Sequence, residues 1–149
     1  MRIVITGGCG FIGRRLALKL LEQGSLPNPS GGVDEIESLV LFDIGEPTPP
    51  IPPDPRLTIV TGDICSATDI HNLIGSNTDV VYHFAAVVSS GAEADFDLGM
   101  HVNFDGARTM LETCRKLGTS PRFIFASSVA AFGGDMPSVI QDDTAKTPQ

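Results

Sequence analysis

A chain of 149 residues, 42% of them hydrophobic, is large enough to close one core without disulfides or a structural metal. Ten basic against eighteen acidic residues leave a net charge of −8, which argues against nucleic acid or an anionic membrane as partner. Cys9, Cys65 and Cys114 show no CxxC spacing and His71 and His101 add no ligand pattern, so no metal is expected and a reduced, cytoplasmic setting is the default.

Short apolar runs alternate with longer amphipathic ones, the rhythm of a parallel sheet covered by crossover helices. Ile3-Val4-Ile5 reads as a buried first strand, and Thr6-Gly7-Gly8 cuts that run too early for a signal peptide or a membrane span. A helix follows from Phe11 and ends before Gly24. Residues 25–38, centred on Pro27-Asn28-Pro29-Ser30-Gly31-Gly32, are expected to form a loop, because proline and glycine oppose both helix and ladder. Residues 39–42 form strand two, which ends at Asp43, and the proline-rich run at 47–55 is a stiff surface connection. Residues 57–61 form strand three, and a short helix at 67–74 takes Ser66 as its cap. Strand four spans 79–84, residues 95–117 contain the longest helix, and strand five spans 122–126. The expected fold is α/β, a Rossmann-type parallel sheet of order 3-2-1-4-5 with helices on both faces. Ligands bind such sheets beyond the carboxyl ends of the strands, at the switch point between strands one and four.

Thr6-Gly7-Gly8-Cys9-Gly10-Phe11-Ile12-Gly13 joins the first strand to the first helix and contains GxxGxxG. Gly7 would make the tight turn, Gly10 would leave backbone room for a diphosphate, and Gly13 would allow close approach of helix and strand. The helix N-terminus then offers N–H groups to the anion without a cationic side chain. A purely structural glycine turn is the alternative. No GxxxxGK[ST] run is present. Cys9 reads as a small turn residue rather than a redox centre.

Asp43 is the natural acceptor for the adenosine 2′-hydroxyl and would repel a 2′-phosphate, which points to NAD rather than NADP. Its long spacing from Gly13 is accounted for by the proline- and glycine-rich insertion. An aspartate that merely ends a strand is the alternative. Asp63 could reach the adenine amino group, with Ile64 on the ring, whereas Asp69 reads as part of a solvated helix. His83 reads as a satisfied core or sheet-end histidine rather than a base. Ala85 and Ala86 let the backbone pass close to a cofactor.

The set Thr6-Gly7-Gly8-Cys9-Gly10-Phe11-Ile12-Gly13, Gly62-Asp63-Ile64, His83-Phe84-Ala85-Ala86, Val102-Asn103-Phe104-Asp105-Gly106 and Phe125-Ala126-Ser127-Ser128-Val129-Ala130-Ala131-Phe132-Gly133 resembles the extended short-chain dehydrogenase/reductase family, which includes nucleotide-sugar epimerases and dehydratases. Within it, residues 85–100 are similar to NAD-dependent enzymes of sugar-acid catabolism. The resemblance implies that Gly7, Gly10, Phe11, Ile12 and Gly13 hold the diphosphate, Asp43 the adenosine ribose, and Asp63 with Ile64 the adenine. It places Ala85, Ala86 and Asn103 along the cofactor. Ser128 takes the place of the family's catalytic serine, with Ser127 beside it at the substrate. Position alone would also allow Ser128 a turn or helix-cap role.

In this family a tyrosine takes the proton from the substrate hydroxyl, a lysine four residues later lowers the tyrosine pKa, and the serine orients the hydroxyl. The single tyrosine here is Tyr82, within strand four and without such a lysine. Residues 1–149 are therefore expected to be an incomplete NAD-binding domain, with the YxxxK helix, the last strand and a C-terminal substrate domain lying outside them. Thr147-Pro148-Gln149 would be the approach to that helix. The complete protein is expected to oxidise a short sugar acid with NAD and to pair as a homodimer through the helix at 95–117. Phe104, Met110 and Leu111 could face either the partner or the sheet. The alternatives are a nucleotide-sugar epimerase or dehydratase, and a non-catalytic NAD-binding protein.

Overall fold

The computed structural model describes residues 1–133 and 137–146; the expectation for Thr147-Pro148-Gln149 lies outside them. Five parallel strands form the sheet: β1 (Arg2–Thr6), β4 (Ser38–Asp43), β5 (Leu57–Thr61), β6 (Val80–His83) and β7 (Arg122–Phe125). Their spatial order is β5-β4-β1-β6-β7, the expected 3-2-1-4-5 once strands are counted within this sheet. The central three read as unbroken apolar runs because helices cover both faces.

On one face Ile3, Ile5, Leu39 and Leu41 pack with Ala17 and Leu20 of α1 (Phe11–Gln23). On the other, Val4, Val40, Phe42 and Val81 pack with Ile70 and Leu73 of α2 (Ala67–Leu73) and Met110 and Cys114 of the long helical run. α1 ends where expected: Gly24 is left-handed and its N–H donates to Leu20 O at 2.9 Å. The Arg56 guanidinium closes the same end by donating to Leu21 O at 2.8 Å.

Residues 25–38 are not a plain loop. They hold a two-stranded antiparallel ribbon, β2 (Ser25–Pro27) with β3 (Val33–Glu35). Its turn is built around Asn28, whose Oδ1 accepts from Ser30 N, Ser30 Oγ and Gly32 N. One side chain thus organises a turn that proline and glycine composition conceals. The ribbon is also the insertion that lengthens the path from Gly13 to Asp43.

The long helical run begins where expected, at Asp95, but is less uniform than its sequence implies. α3 (Ser89–Ala94) precedes it, Asp95 caps α4 (Phe96–Met100) by accepting from Leu98 N at 2.9 Å, a π-helical turn spans His101–Gly106, and α5 (Ala107–Lys116) completes it. Register decides its faces. Met110 is fully buried against the sheet, whereas Phe104 and Leu111 are exposed. Met110→Ala should therefore cost about 2–5 kcal/mol in urea unfolding and Leu111→Ala well under ~1 kcal/mol. Comparable losses would mean that the helix turns a different face inward.

Candidate dinucleotide site

β1 runs into the glycine turn at the centre of the carboxyl edge. Gly7 has φ +64°, and a Cβ there would lie 2.7 Å from both Ala85 N and Phe84 C. A Cβ at Gly13 would strike the Gly7 carbonyl oxygen and approach Gly8 Cα to 2.7 Å. The turn therefore sits directly against the end of β6 and the start of α1. At Gly10 a Cβ would meet only Gly7 O, at 3.3 Å, so its outer side is open to a ligand.

Gly10 is also the N-cap of α1, with no side-chain cap and no acidic residue in the first turn. The backbone N–H groups of Phe11, Ile12 and Gly13 thus face outward with the positive end of the helix dipole. Phe11 and Ile12 present these amides while both side chains are exposed. Beside them lies a cleft of about 500 Å³, lined by Gly7, Gly10, Asp43, Asp63, Ile64 and Ala85 among others.

The carboxylate of Asp43 is at the end of β4. Its Oδ2 accepts from Cys9 N at 3.0 Å and its Oδ1 from Ile44 N at 2.8 Å. Each oxygen keeps acceptor capacity for a hydroxyl. Burial first, then the Asp43 and Glu46 carboxylates, push the Cys9 thiol up to about 11, so it is not a thiolate nucleophile at neutral pH.

Asp63 Oδ1 accepts from Cys65 N at 2.9 Å, and the Asp63 amide donates to Asp69 Oδ2 at 3.0 Å. Asp69 is therefore not merely solvated. It holds the Gly62-Asp63 turn while Ser66 caps α2 by accepting from its N–H at 3.2 Å. The S-x-x-D spacing was the available signal. Ile64 is buried in the core yet presents a surface to the cleft.

Ala85, Ala86 and Val87 form the floor after β6. Asn103 stands behind it rather than along the cleft. Its Oδ1 accepts from Val87 N at 2.8 Å and its Nδ2 donates to Val87 O at 3.0 Å, so both ends of the amide grip one residue of the floor. Ser127 and Ser128 follow β7 at the same edge, outside the cleft lining, and Ser128 O accepts from Ala131 N at 3.0 Å. Tyr82 lies within β6, its ring 6.1 Å from that of Phe84.

The profile of the NAD dependent epimerase/dehydratase family matches residues 3–149. The chain belongs to that family. It is 50% identical, over all 149 residues, to D-erythronate dehydrogenase of Cupriavidus necator, and spans 45% of that protein's length. A nucleoside-diphosphate-sugar epimerase from Agrobacterium tumefaciens superimposes with a TM-score of 0.82 at 34% identity, over 99% of this chain and 43% of the other. A mutant uronate dehydrogenase from the same organism, complexed with NAD, gives 0.68 at 25% identity, over 89% of this chain and 42% of the other. NAD is the cofactor of the family. The open amides of α1, the turn that a Cβ would fill and the Asp43 carboxylate fit it. No helix among the described residues is long and apolar enough to cross a membrane.

His83 ends β6 at 2% exposure, with Nδ1 at 2.8 Å from Thr6 Oγ1. Burial pushes its pKa from 6.5 down to about 4. The folded state therefore binds fewer protons than the unfolded state between these values, and stability rises with pH across the window. The His83 contribution, on the order of 3 kcal/mol at most, is complete above the unfolded pKa and is lost as pH falls towards the folded one. Thermal scans should show Tm dropping as the pH is lowered from about 6.5 to about 5, where ordinary carboxylates remain ionised. His83→Asn should flatten that slope; an unchanged slope would show that the ring does not set it.

Proposed function

We propose that the protein is an NAD-dependent dehydrogenase that oxidises a hydroxyl of a short sugar acid, D-erythronate at C2, to the keto acid. The observation that carries this reading is 50% identity, sustained over every residue of the chain, to a relative named D-erythronate dehydrogenase.

When bound, NAD supplies the hydride acceptor. The amides of Phe11, Ile12 and Gly13 hold its diphosphate, with Gly7 and Gly10 leaving the backbone room it needs. Asp43 accepts from the adenosine ribose, Asp63 and Ile64 meet the adenine, and Ala85 and Ala86 line its path. Asn103 serves this path through Val87. Ser128 orients the substrate hydroxyl, with Ser127 beside it. The proton-abstracting base is assigned to a group outside these residues, because Tyr82 is held inside the sheet.

The complete gene product, assayed with NAD and a panel of four-carbon sugar acids, should form NADH, and Ser128→Ala should lower kcat about a hundredfold with little change in NAD affinity. Turnover of a nucleoside-diphosphate sugar without NADH accumulation would instead support the epimerase reading, which the 0.82 superposition favours. NAD binding without turnover of either class would support a non-catalytic role. The exposed apolar positions Phe96, Met100, Phe104 and Leu111 support a homodimer paired through this helical run, and sedimentation of the same preparation as a monomer would exclude it.

Asp43→Asn should weaken NAD about tenfold and narrow its advantage over NADP, since a neutral amide loses the charged acceptor and no longer repels a 2′-phosphate. Calorimetry with both dinucleotides measures this. Undiminished preference for NAD would place the discrimination elsewhere.

A further inference from the structure

Thr6, His83 and Phe125 are consecutive partners in the register of β1, β6 and β7, so the three side chains form one row across the sheet at its carboxyl edge. The row lies just before three segments that line or flank the cleft: Gly7 follows Thr6, the Ala85-Ala86 floor follows His83, and Ser127-Ser128 follows Phe125.

The hydrogen bonding within the row is constrained. Ala85 N donates to Thr6 Oγ1 at 3.3 Å, and the same oxygen lies 2.8 Å from His83 Nδ1. Both residues are buried, and among the described residues His83 Nδ1 is the acceptor available to the threonine proton. One arrangement satisfies all three groups: Thr6 accepts from Ala85 and donates to an unprotonated Nδ1, which leaves the imidazole proton on Nε2. Burial, which favours the neutral ring, agrees with this.

On its other side the imidazole meets β7. Its ring lies 5.7 Å from that of Phe125 at an interplanar angle of 23°, and 5.9 Å from that of Phe123. The accompanying backbone bond, Ala126 N to His83 O, is long at 3.4 Å. The ring contact therefore adds to the strand ladder in seating the end of β7 against β6.

We propose that His83 is a positioning residue that joins the two halves of the site, fixing the cofactor floor through Thr6 and Ala85 and seating the Ser128 segment through Phe125. The second half rests on the assignment of Ser128 to the substrate. The first half depends only on NAD binding.

Two substitutions in the complete protein separate the halves. His83→Asn places an acceptor near the position of Nδ1 and removes the ring; His83→Phe keeps a ring against Phe125 and removes the acceptor. Calorimetry should find NAD affinity within about twofold of the parent for His83→Asn and weakened about fivefold for His83→Phe. At saturating NAD, kcat should fall about tenfold for His83→Asn and less than about threefold for His83→Phe. Nitrogen NMR of the parent should show a neutral ring protonated at Nε2. Equal loss of affinity and rate in both variants would reduce His83 to a core residue and overturn the proposal, as would an Nδ1–H tautomer.

Should either histidine variant fail to fold, Phe125→Leu tests the β7 contact by kcat and Thr6→Val tests the acceptor arm by NAD affinity. The kcat penalty of His83→Asn should vanish in a Ser128→Ala background. If Ser128→Ala alone leaves kcat unchanged, the serine assignment fails and the β7 half falls with it, while the NAD titrations still decide the cofactor half.

Discussion

The approach of Gly7 to the Phe84–Ala85 peptide governs the carboxyl edge of the sheet. A single added carbon would lie 2.7 Å from that peptide, so the turn, the end of β6 and the start of α1 must share one narrow space. That space is available only because β1 and β6 are paired in register up to Thr6 and His83. The N-cap of α1, Gly10, then borders the cleft beside a carboxylate on β4. A shift of register by one residue would exchange the two faces of a strand and dissolve the arrangement.

The electrostatics follow from this geometry rather than from net charge. A chain of charge −8 is a poor general attractor of anions, yet its glycine turn and helix N-terminus make a local positive site from backbone dipoles alone. The nearby cations have other tasks. Arg14 donates through Nε to Pro49 O at 3.1 Å, and Arg15 stands 5.2 Å from the centre of the Phe11 ring. Asp43 braces the turn through Cys9 N and keeps acceptor capacity, so the turn geometry and the proposed ribose contact would rest on one side chain.

The polar residues around the cleft act largely through backbone. Asp69 grips the amide of Asp63, Asn103 grips both polar groups of Val87, and Thr6 accepts a hydrogen bond from the amide of Ala85. Each holds a loop that would otherwise carry unsatisfied groups beside an apolar cleft. Loops that leave a rigid sheet can in this way present a fixed surface to a ligand.

Strand order, the glycine turn, the capping serine at Ser66 and the aspartate at the end of β4 were legible in the sequence, because periodicity, backbone freedom and capping chemistry are local. The Asn28-centred ribbon was not, since one side chain organises a segment whose composition reads as disorderly. Nor were the tasks of Asp69 and Asn103, or the inward face of the helix carrying Met110. Those depend on groups that the chain brings together from distant positions, 16 residues apart for Asn103 and Val87 and 77 for Thr6 and His83. The sequence by itself determined that this chain builds a dinucleotide cradle; tertiary structure decided which side chains hold that cradle in place, because strand register alone chooses their neighbours.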